Sequence, residues 1–282
     1  MSIKNDNSGA RAHFASAEII TSRQNPTVAM TAGLSDKKRR EAAGLFLLDG
    51  IKLTLEALSS ELAVRYVLLT ERAAGKYASA LEPLIGSARV CILSEPAFDR
   101  VTDERAPEGV VAVAAYSDTV RRDFAPEDAD AGDSRLILDG VQNPENFGAI
   151  LRSARAFGTG NIICGDGCAD VYGRRVMRAS MGAALHTGTL YTRDAAGVCG
   201  ELAARGHRVI ATVPREGATP LSGFKFRRGD CIVIGNEGHG ISREVSAAAT
   251  DAVYIPMAPG QESLNAASAA AIILWELYKS QR

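Results

Sequence analysis

Three polar stretches interrupt the apolar C-terminal half of the chain, and their residue types favour chemistry that depends on positioning. The first stretch, Asp139–Gly158, places Asn146 at the start of a predicted helix and Arg152 and Arg155 farther along it. An amide at a helix start can cap backbone N–H groups. A guanidinium that projects toward a cleft can hold a phosphate through two hydrogen bonds. A capped helix with solvated arginines has the same pattern, so this stretch alone does not identify a site.

The second and third stretches are loops that combine polar side chains with glycine or proline. Gly235–Ser242 reads GNEGHGIS, and its glycines allow a ligand to approach the backbone closely around Glu237. The third loop reads IPMAPGQESLN. Ser263 is predicted to cap a helix that starts at Leu264, with Asn265 in its first turn. A tight turn and an ordinary buried helix are the structural alternatives for these two stretches.

The residues needed for metal, nucleophilic or dinucleotide chemistry do not stand out in these stretches. The five cysteines are scattered, and Cys164 and Cys168 have no second pair at zinc-ligand spacing. The four histidines suggest no Ser–His or Cys–His arrangement. The glycines do not follow the dinucleotide fingerprint, which disfavours a Rossmann-type dehydrogenase. These stretches fit the transfer of a group that is already activated, because alignment of the reactants can supply much of the rate of such a reaction.

These polar stretches follow short apolar strands in a strand–loop–helix pattern that begins at Arg135. The predicted strands are Leu136–Leu138, Asn161–Cys164, Val209–Val213, Cys231–Ile234 and Ala252–Ile255. The predicted helices are Asn146–Phe157, Tyr172–Met181, Ala195–Ala204, Arg243–Ala249 and Leu264–Lys279. The alternation predicts an α/β fold with a parallel sheet covered on both faces. Such sheets bind ligands beyond the carboxyl ends of their strands, where the polar stretches lie.

The N-terminal part of the chain is predicted to form a separate, smaller α/β domain. Residues 1–17 are expected to be a disordered leader, 18–117 the smaller domain, 118–134 an acidic linker and 135–282 the larger domain. Strands are predicted at Leu45–Leu48, Val64–Leu69, Val90–Leu93 and Val110–Ala115, and helices at Lys37–Ala43, Ile51–Leu58 and Ala73–Leu84. No apolar run has the length of a membrane span, which predicts a soluble, cytoplasmic protein without a membrane partner.

Taken together, the three stretches resemble the motifs of the SpoU (TrmH-type) RNA 2′-O-ribose methyltransferases, in the SPOUT superfamily. The resemblance rests on NPENFGAILRSARAFG, IGNEGHGIS and IPM…ESLNAA, in the family's order and spacing, and covers residues 135–282. Residues 20–28, 44–58 and 106–114 resemble the family's L30e-like substrate-binding domain. One departure is Gly260, since the family usually has this glycine one position earlier, where Pro259 stands here.

The resemblance implies a trefoil-knotted catalytic domain that binds S-adenosylmethionine. The residue types of the three stretches themselves predict no metal site. It also implies a homodimer through the C-terminal domain, with the active site completed across the interface. The cofactor would be held by backbone around Thr212, Gly235, Ile255 and Leu264. The family's catalytic or substrate-binding positions carry Asn146, Arg152, Glu237, Ser263 and Asn265. We expect Arg152 to hold the phosphate beside the target ribose, because a guanidinium stays protonated; the family's alternative makes it the base.

The implied reaction is methyl transfer to a ribose 2′-hydroxyl of structured RNA. By analogy with relatives that have an extra N-terminal domain, ribosomal RNA is favoured over transfer RNA. A tRNA 2′-O-methyltransferase and a catalytically silent RNA-binding relative are the alternatives. The formal net charge is only −1, so RNA binding must depend on local basic patches. The predicted RNA-binding residues are Lys37, Lys38, Arg39, Arg40, Arg174 and Arg175. A solvated helix face is the alternative for the Lys-Lys-Arg-Arg run.

Overall fold

The computed structural model describes residues 12–125, 128, 132–214, 217–261 and 263–282. These residues form two compact units. The first unit contains residues 12–117 together with the short segment Tyr172–Arg174, and the second contains the other described residues. Among the described residues, no helix has both the length and the apolar character needed to cross a lipid bilayer.

The first unit is built on a five-stranded mixed sheet with the order β1-β4-β3-β5-β2. The strands are β1 (Glu18–Ile20), β2 (Leu45–Asp49), β3 (Val64–Thr70), β4 (Arg89–Leu93) and β5 (Val110–Ala115). The helices are α1 (Ala12–Ala15), α2 (Pro26–Gly33), α3 (Lys37–Ala43), α4 (Ile51–Leu58), α5 (Glu71–Leu81) and α6 (Glu95–Phe98). β1, β4 and β3 run parallel, whereas β5 pairs antiparallel with β3 and β2. Val28, Leu68 and Phe98 are among the buried side chains of its core.

Helices α2 and α3 start where the sequence supplies caps. The Asn25 side chain accepts a hydrogen bond from the Thr27 amide, and Pro26 occupies the first helical position, where its missing N–H costs nothing. The Asp36 side chain accepts from the Arg39 amide at the start of α3. α3 ends at Gly44, whose φ of 62° is the left-handed conformation that favours glycine at helix ends. The caps therefore fix where each helix begins and where α3 ends.

The second unit contains an eight-stranded sheet with the order β11-β13-β10-β12-β7-β8-β9-β6. Its strands are β6 (Val120–Arg121), β7 (Arg135–Asp139), β8 (Asn161–Cys164), β9 (Gly188–Tyr191), β10 (Val209–Thr212), β11 (Thr219–Pro220), β12 (Cys231–Gly235) and β13 (Asp251–Tyr254). Its helices are α7 (Pro144–Ala156), α8 (Arg174–Ser180), α9 (Ala195–Ala204), α10 (Arg243–Ala248) and α11 (Ala266–Ser280). Neighbouring strands run parallel throughout. The predicted α/β fold with a parallel sheet is confirmed.

Two segments expected to lack regular structure are partly ordered. Of the predicted leader, residues 1–11 lie outside the described residues, but Ala12–Ala15 form α1. The helix is tied down by His13, whose Nδ1 lies 3.1 Å from the Glu82 carboxylate. In the predicted linker, Val120–Arg121 form β6 and add a parallel edge strand beside β9. The sequence did not predict this strand, because two residues are too few to show the alternation of apolar and polar side chains that is typical of a strand.

Candidate active site

Three loops and one strand end converge at a single edge of the second sheet. The strands β13, β10, β12 and β7 are consecutive neighbours and run parallel, so their carboxyl ends lie side by side. The first loop follows β7, the second follows β12, and the third follows β13. Thr212 ends β10 between them. This edge is where open parallel sheets place their ligand sites.

Asn146, which follows the first loop, lies inside helix α7 and is not its N-cap. Asn143 is the N-cap of α7, and its side chain accepts a hydrogen bond of 2.9 Å from the Asn146 amide. Pro144 takes the first helical position. The prediction that Asn146 caps the helix is therefore wrong, because the Asn143-Pro144 pair starts the helix two residues before Asn146. The Asn146 side chain is consequently available for contacts outside the helix.

One hydrogen-bonded cluster joins the three loops. The Asn146 side-chain amide donates to Glu237 Oε1 at 3.0 Å, and its carbonyl oxygen accepts from Asn265 Nδ2 at 2.8 Å. The backbone amide of Asn143 also donates to Glu237 Oε1, at 3.3 Å. Because a carboxylate only accepts and the Asn265 amide donates, the orientation of the Asn146 amide is determined by its partners. The cluster brings together three of the five predicted catalytic residues.

The third loop ends at Asn265, which caps α11. Its Oδ1 accepts from the backbone amides of Ala267 and Ser268 at 2.9 and 3.2 Å, while its Nδ2 reaches Asn146. The predicted cap, Ser263, lies two residues earlier, so that prediction is wrong; asparagine is an equally good cap and stands directly before the helix. Ser263 is exposed, and its carbonyl oxygen accepts from Gln261 Nε2 at 2.9 Å.

The second loop is held in shape by Asn236, a residue that the sequence reasoning missed. Its Nδ2 donates to the Gly140 carbonyl oxygen at 2.7 Å, which ties the second loop to the first. Its Oδ1 accepts from the backbone amides of Gly238 and His239 at 2.8 and 3.1 Å. This is an Asx turn, and the Asn followed by Glu-Gly was the available signal for it. The turn sets the direction of Glu237.

Gly235 allows the second loop to fold back on itself at close range. A β-carbon at this position would lie 2.3 Å from the Gly240 carbonyl carbon and 2.4 Å from the Ile241 amide nitrogen. Asp139 fixes the far end of the loop, because its Oδ2 accepts from the Ser242 amide at 2.7 Å. The loop is therefore compact and connected to β7 at both ends.

The four predicted cofactor residues lie along this edge. Thr212 is half-buried, and its hydroxyl donates to the Val233 carbonyl oxygen at 2.7 Å, linking β10 to β12. Gly235 and Ile255 are also half-buried. Leu264 is 38% exposed, and Met257, in the same third loop, is 39% exposed. Large exposed apolar side chains beside half-buried backbone are typical of a site for a partly apolar ligand.

Arg152 does not join the hydrogen-bonded cluster. It lies on α7 six residues after Asn146, which places the two about 120° apart around the helix axis. Its side chain is exposed and has no hydrogen bond or ion pair with any described residue. The guanidinium is therefore free to contact a ligand or a second molecule.

The predicted RNA-binding residues divide into exposed and buried groups. Lys37, Lys38 and Arg39 are exposed, as is Arg175. Arg40 is buried, and its Nη1 donates to the carbonyl oxygens of Leu34 and Ser35 at 3.0 and 2.9 Å.

Arg174 is also withdrawn from solvent. Its side chain is 9% exposed, with Nε 3.6 Å from Asp49 Oδ2 and Nη1 3.5 Å from Asp103 Oδ1. It also donates to the Val101 carbonyl oxygen. The burial of Arg40 and Arg174 favours structural roles over contact with a phosphate. Position in a run of basic residues does not reveal which side chain points inward.

Two cysteines near this edge influence each other. Cys164 ends β8, and Cys168 is half-buried in the loop that follows. A hydrogen bond from Cys164 lowers the pKa of Cys168, an effect larger than the opposing one of burial. Burial raises the pKa of Cys164 well above its ordinary value. Within the described part of the chain, no three His, Cys, Asp or Glu side chains are grouped as they would be around a metal ion.

Known proteins resemble this chain over most of its length. A family model described as the SpoU rRNA methylase family matches residues 133–275, and one described as the MRM3-like substrate binding domain matches residues 25–112. The 23S rRNA (guanosine(2553)-2′-O)-methyltransferase RlmP of Bacillus subtilis is 31% identical, over 92% of this chain and 98% of the relative. A 23S rRNA (uridine(2479)-2′-O)-methyltransferase of Streptomyces viridochromogenes is 30% identical, over 94% and 93%. The structure of an AdoMet-bound rRNA methyltransferase from Sinorhizobium meliloti has a TM-score of 0.79 and 25% identity, over 93% of this chain and 98% of that one.

Proposed function

Because the chain belongs to the SpoU rRNA methylase family, we propose that it transfers a methyl group from S-adenosylmethionine to a ribose 2′-hydroxyl of ribosomal RNA. The observation that carries this proposal is the cluster of Asn146, Glu237 and Asn265 at the carboxyl edge of the sheet. It joins all three motif loops at the point where a ligand of this fold binds. The 23S rRNA named for two relatives favours ribosomal over transfer RNA.

The residues at the sheet edge fit S-adenosylmethionine. Backbone around Thr212, Gly235 and Ile255 would bind it, with Leu264 and Met257 against its apolar parts. The close fold of the second loop supports this, because the absence of a side chain at Gly235 is what lets the loop close. When bound, the cofactor supplies a methyl group already activated on a sulfonium. The protein's remaining tasks are to orient the 2′-hydroxyl and to exclude water.

The hydrogen-bonded cluster would hold the ribose and the loop geometry. The second carboxylate oxygen of Glu237 forms no hydrogen bond with a described residue, and it can accept one from a ribose hydroxyl. Ser263 adds a hydroxyl at the end of the third loop. Asn146 and Asn265 fix the position of Glu237 and act by positioning. Their side-chain polar atoms are already committed to each other, to Glu237 and to the start of α11.

Arg152 would hold the phosphate next to the target ribose. A guanidinium stays protonated at any useful pH, so a clamp on the phosphate requires no unusual pKa. Arg152 lies away from the cluster on its own helix, which supports a site completed by Arg152 of the partner subunit in a homodimer. Helix α11 presents apolar side chains that a dimer interface would cover, since Ile272 is 38% exposed and Trp275 is 46% exposed. Trp275 also contacts Phe157, the residue that follows α7, with ring centroids 5.6 Å apart.

The remaining parts of the proposal follow from the family. The second unit would contain a trefoil knot, and the position of β12 between β7 and β10 is compatible with one. The division at Ser117 supports two domains, with RNA recognition assigned to the first. A ribosomal RNA substrate makes the cytoplasm the expected location.

The reaction is tested by incubating the protein with radiolabelled S-adenosylmethionine and ribosomal or transfer RNA from a methylation-deficient strain. We expect label in ribosomal RNA that is recovered as an alkali-resistant dinucleotide, because a 2′-O-methyl group blocks cleavage of the adjacent phosphodiester. Label on a base would overturn the reaction. Label only in transfer RNA would overturn the substrate class. Cofactor binding in calorimetry without label in either RNA or in ribosomal precursor particles would indicate a catalytically silent relative.

A further inference from the structure

A cleft on the first unit is flanked by two arginines from distant parts of the chain. Its volume is about 490 Å³, within the range of small-ligand sites. The small residues Ala29, Ala32 and Gly33 of α2 form part of its lining. Arg39 of α3 and Arg100, which follows α6, line it as well. The cleft belongs to the first unit, whereas the sheet edge described above belongs to the second.

The absence of a side chain at Gly33 lets Arg39 lie over the end of α2. A β-carbon at Gly33 would be 3.1 Å from Arg39 Nη1 and 3.2 Å from its Cδ. These distances are tighter than most real contacts, so any larger residue would push the arginine aside. The position of the guanidinium therefore depends on a small residue at this point.

The other polar groups of the cleft are committed to the backbone. Asp36 Oδ1 accepts from the Arg39 amide at 3.0 Å as the cap of α3, and Ser35 Oγ donates to the Ala32 carbonyl oxygen at 2.9 Å. Arg39 and Arg100 are exposed, and neither forms an ion pair with a described residue. The cleft thus offers two unpaired guanidinium groups against one carboxylate, and its net charge favours an anion.

We propose that this cleft binds one unpaired nucleotide of the RNA substrate, with its phosphate between Arg39 and Arg100 and its nucleoside against Ala29, Ala32 and Gly33. Guanidinium groups bind phosphate through paired hydrogen bonds, and small residues let a flat base or sugar approach closely. The bases of a duplex are stacked and paired and are not free to enter the cleft, whereas a splayed nucleotide is free to do so. The proposal rests on the proposed function, because it assumes an RNA substrate.

The cleft also gives the Lys-Lys-Arg-Arg run a more specific role than a general basic patch. Arg40 points into the core and Arg39 lines the cleft, while Lys37 and Lys38 are exposed to solvent. The two lysines would add charge near the RNA backbone without a defined geometry. Arg100 was not among the predicted RNA-binding residues, because it stands alone between acidic and apolar neighbours in the sequence.

The test measures binding of 23S rRNA transcribed in vitro by the full-length protein over a range of salt concentrations. We expect Arg39→Ala/Arg100→Ala to weaken binding about tenfold or more, and to lower the slope of log affinity against log salt by about 0.7, the value for one phosphate of a single strand. The control is Arg65→Ala/Arg72→Ala, which removes two exposed arginines of the same unit outside the cleft. It should leave the slope almost unchanged.

Two further measurements distinguish a cleft with defined hydrogen bonds to phosphate from a nonspecific attraction by positive charge. Arg39→Lys/Arg100→Lys keeps the charge but loses the paired hydrogen bonds, so we expect it to retain the salt slope while binding more weakly than the wild type. An oligouridylate should compete with 23S rRNA for the wild type and much less for the alanine variant. A perfectly paired RNA duplex of the same length should not discriminate between the two proteins.

The outcomes distinguish this proposal from the proposed function. Equal affinity and salt slope in the wild type and the cleft double variant would overturn the cleft assignment, whatever the methylation activity. An equal loss in the Arg65/Arg72 control would also overturn it in favour of nonspecific charge. A wild type that binds 23S rRNA through the cleft but methylates neither rRNA nor its precursor particles would count against the proposed function alone. Thermal unfolding and calorimetry with S-adenosylmethionine verify that each variant is folded.

Discussion

Arg152 is the residue on which the proposed mechanism depends most directly. If it holds the substrate phosphate, Arg152→Ala should lower kcat/KM for RNA by about 10²-fold, the size of effect seen when a transition-state contact is removed. Its affinity for S-adenosylmethionine should change little, because the proposed cofactor residues lie on other loops. Steady-state kinetics and calorimetry on the same preparation measure the two effects.

Arg155 provides a matched control for this prediction. It is also exposed on α7, close to Arg152 in the sequence, and forms no ion pair with a described residue. Arg155→Ala removes the same charge from the same helix and should leave kcat/KM within a few-fold of the wild type. Equal losses in the two variants would assign the effect to overall charge. A parallel loss of cofactor affinity in Arg152→Ala would place Arg152 in the cofactor site.

Asn146 and Asn265 should behave as one unit, because their side chains are hydrogen-bonded to each other at 2.8 Å. We expect the double variant Asn146→Ala/Asn265→Ala to lose less activity than the sum of the single variants, with a coupling free energy of about 0.5–3 kcal/mol. The double-mutant cycle is measured through kcat/KM. Pairing Asn146→Ala with Arg155→Ala should give additive effects. Additivity in both cycles would show that the hydrogen bond has no part in the reaction.

Cys168 should be the most reactive thiol among the five cysteines. The hydrogen bond from Cys164 lowers its pKa, whereas burial raises the pKa of Cys91 to about 11 and that of Cys199 to about 12. The thiolate is the nucleophile, so Cys168 should react with iodoacetamide faster than the other cysteines, and more slowly as the pH falls through its pKa. Mass spectrometry of peptides identifies the labelled site. Labelling of Cys91 or Cys199 at a similar rate in the folded protein would contradict the assignment.

The residues of the candidate site were predictable from the sequence to different degrees. The prediction placed Asn146, Glu237 and Asn265 in motif loops, and the structure joins them. Their capping roles were assigned to the wrong residues, because several adjacent Asn and Ser side chains can cap a helix equally well. Asn236 was missed, since its contacts depend on Gly140, 96 residues away. Burial of Arg40 could not be read from a run in which all four side chains are basic.

At the scale of elements, two glycines in helices should respond oppositely to the same substitution. Gly148 of α7 packs against α8, and a β-carbon there would lie 2.6 Å from Ala179 Cβ and 2.7 Å from the Val176 carbonyl oxygen. Gly148→Ala should therefore destabilise the protein by about 1–3 kcal/mol. Gly200 of α9 is exposed with no atom within 4 Å of the added carbon. Gly200→Ala should stabilise the protein by roughly 1 kcal/mol.

Denaturant unfolding of both variants measures these free energies. A loss of stability in Gly200→Ala would mean that α9 is not packed as described. An unchanged stability in Gly148→Ala would mean that α7 and α8 separate easily. The pair of variants controls for the intrinsic helix preference of alanine, because both substitutions are the same and both lie inside helices.

Periodicity and composition predicted most of the regular elements of both units. The bounds of Lys37–Ala43, Ile51–Leu58, Val110–Ala115, Asn161–Cys164 and Ala195–Ala204 agree with the structure. The strands β1, β6, β9 and β11 were missed, because each is four residues or shorter and depends on a neighbouring strand for its pairing. Helix α2 was also missed, although Asn25-Pro26 is a typical helix start. The order of strands in each sheet cannot be predicted from local sequence patterns, because neighbouring strands can be far apart in the chain.

At the scale of the whole molecule, the proposed homodimer predicts the effect of a charge on α11. Ile272→Asp should convert the dimer to a monomer and abolish methyl transfer, because the substitution places a carboxylate in an apolar interface. Ile19 of β1 is even more exposed, at 76%, but belongs to the first unit. Ile19→Asp should leave the dimer intact. Light scattering after size-exclusion chromatography distinguishes the two masses, and a dimeric, active Ile272→Asp variant would contradict the proposed interface.

The strand order of the second sheet has a consequence for the protein during its synthesis. β12 lies between β7 and β10, and its partner residues in β7 precede it by almost a hundred positions, as in the pair Arg135 and Cys231. Until the ribosome has added β12, β7 lacks a partner along one edge, and β10 lacks one along both edges because β13 is synthesised later still. The apolar side chains of Leu136, Ile137 and Leu138, fully buried in the finished protein, then have no complete core to enter. Pairing between distant segments is slow, and unpaired strand edges invite association with other chains. The nascent second unit is therefore a natural client for chaperones, whereas all five strands of the first sheet are available once Ala115 has been synthesised.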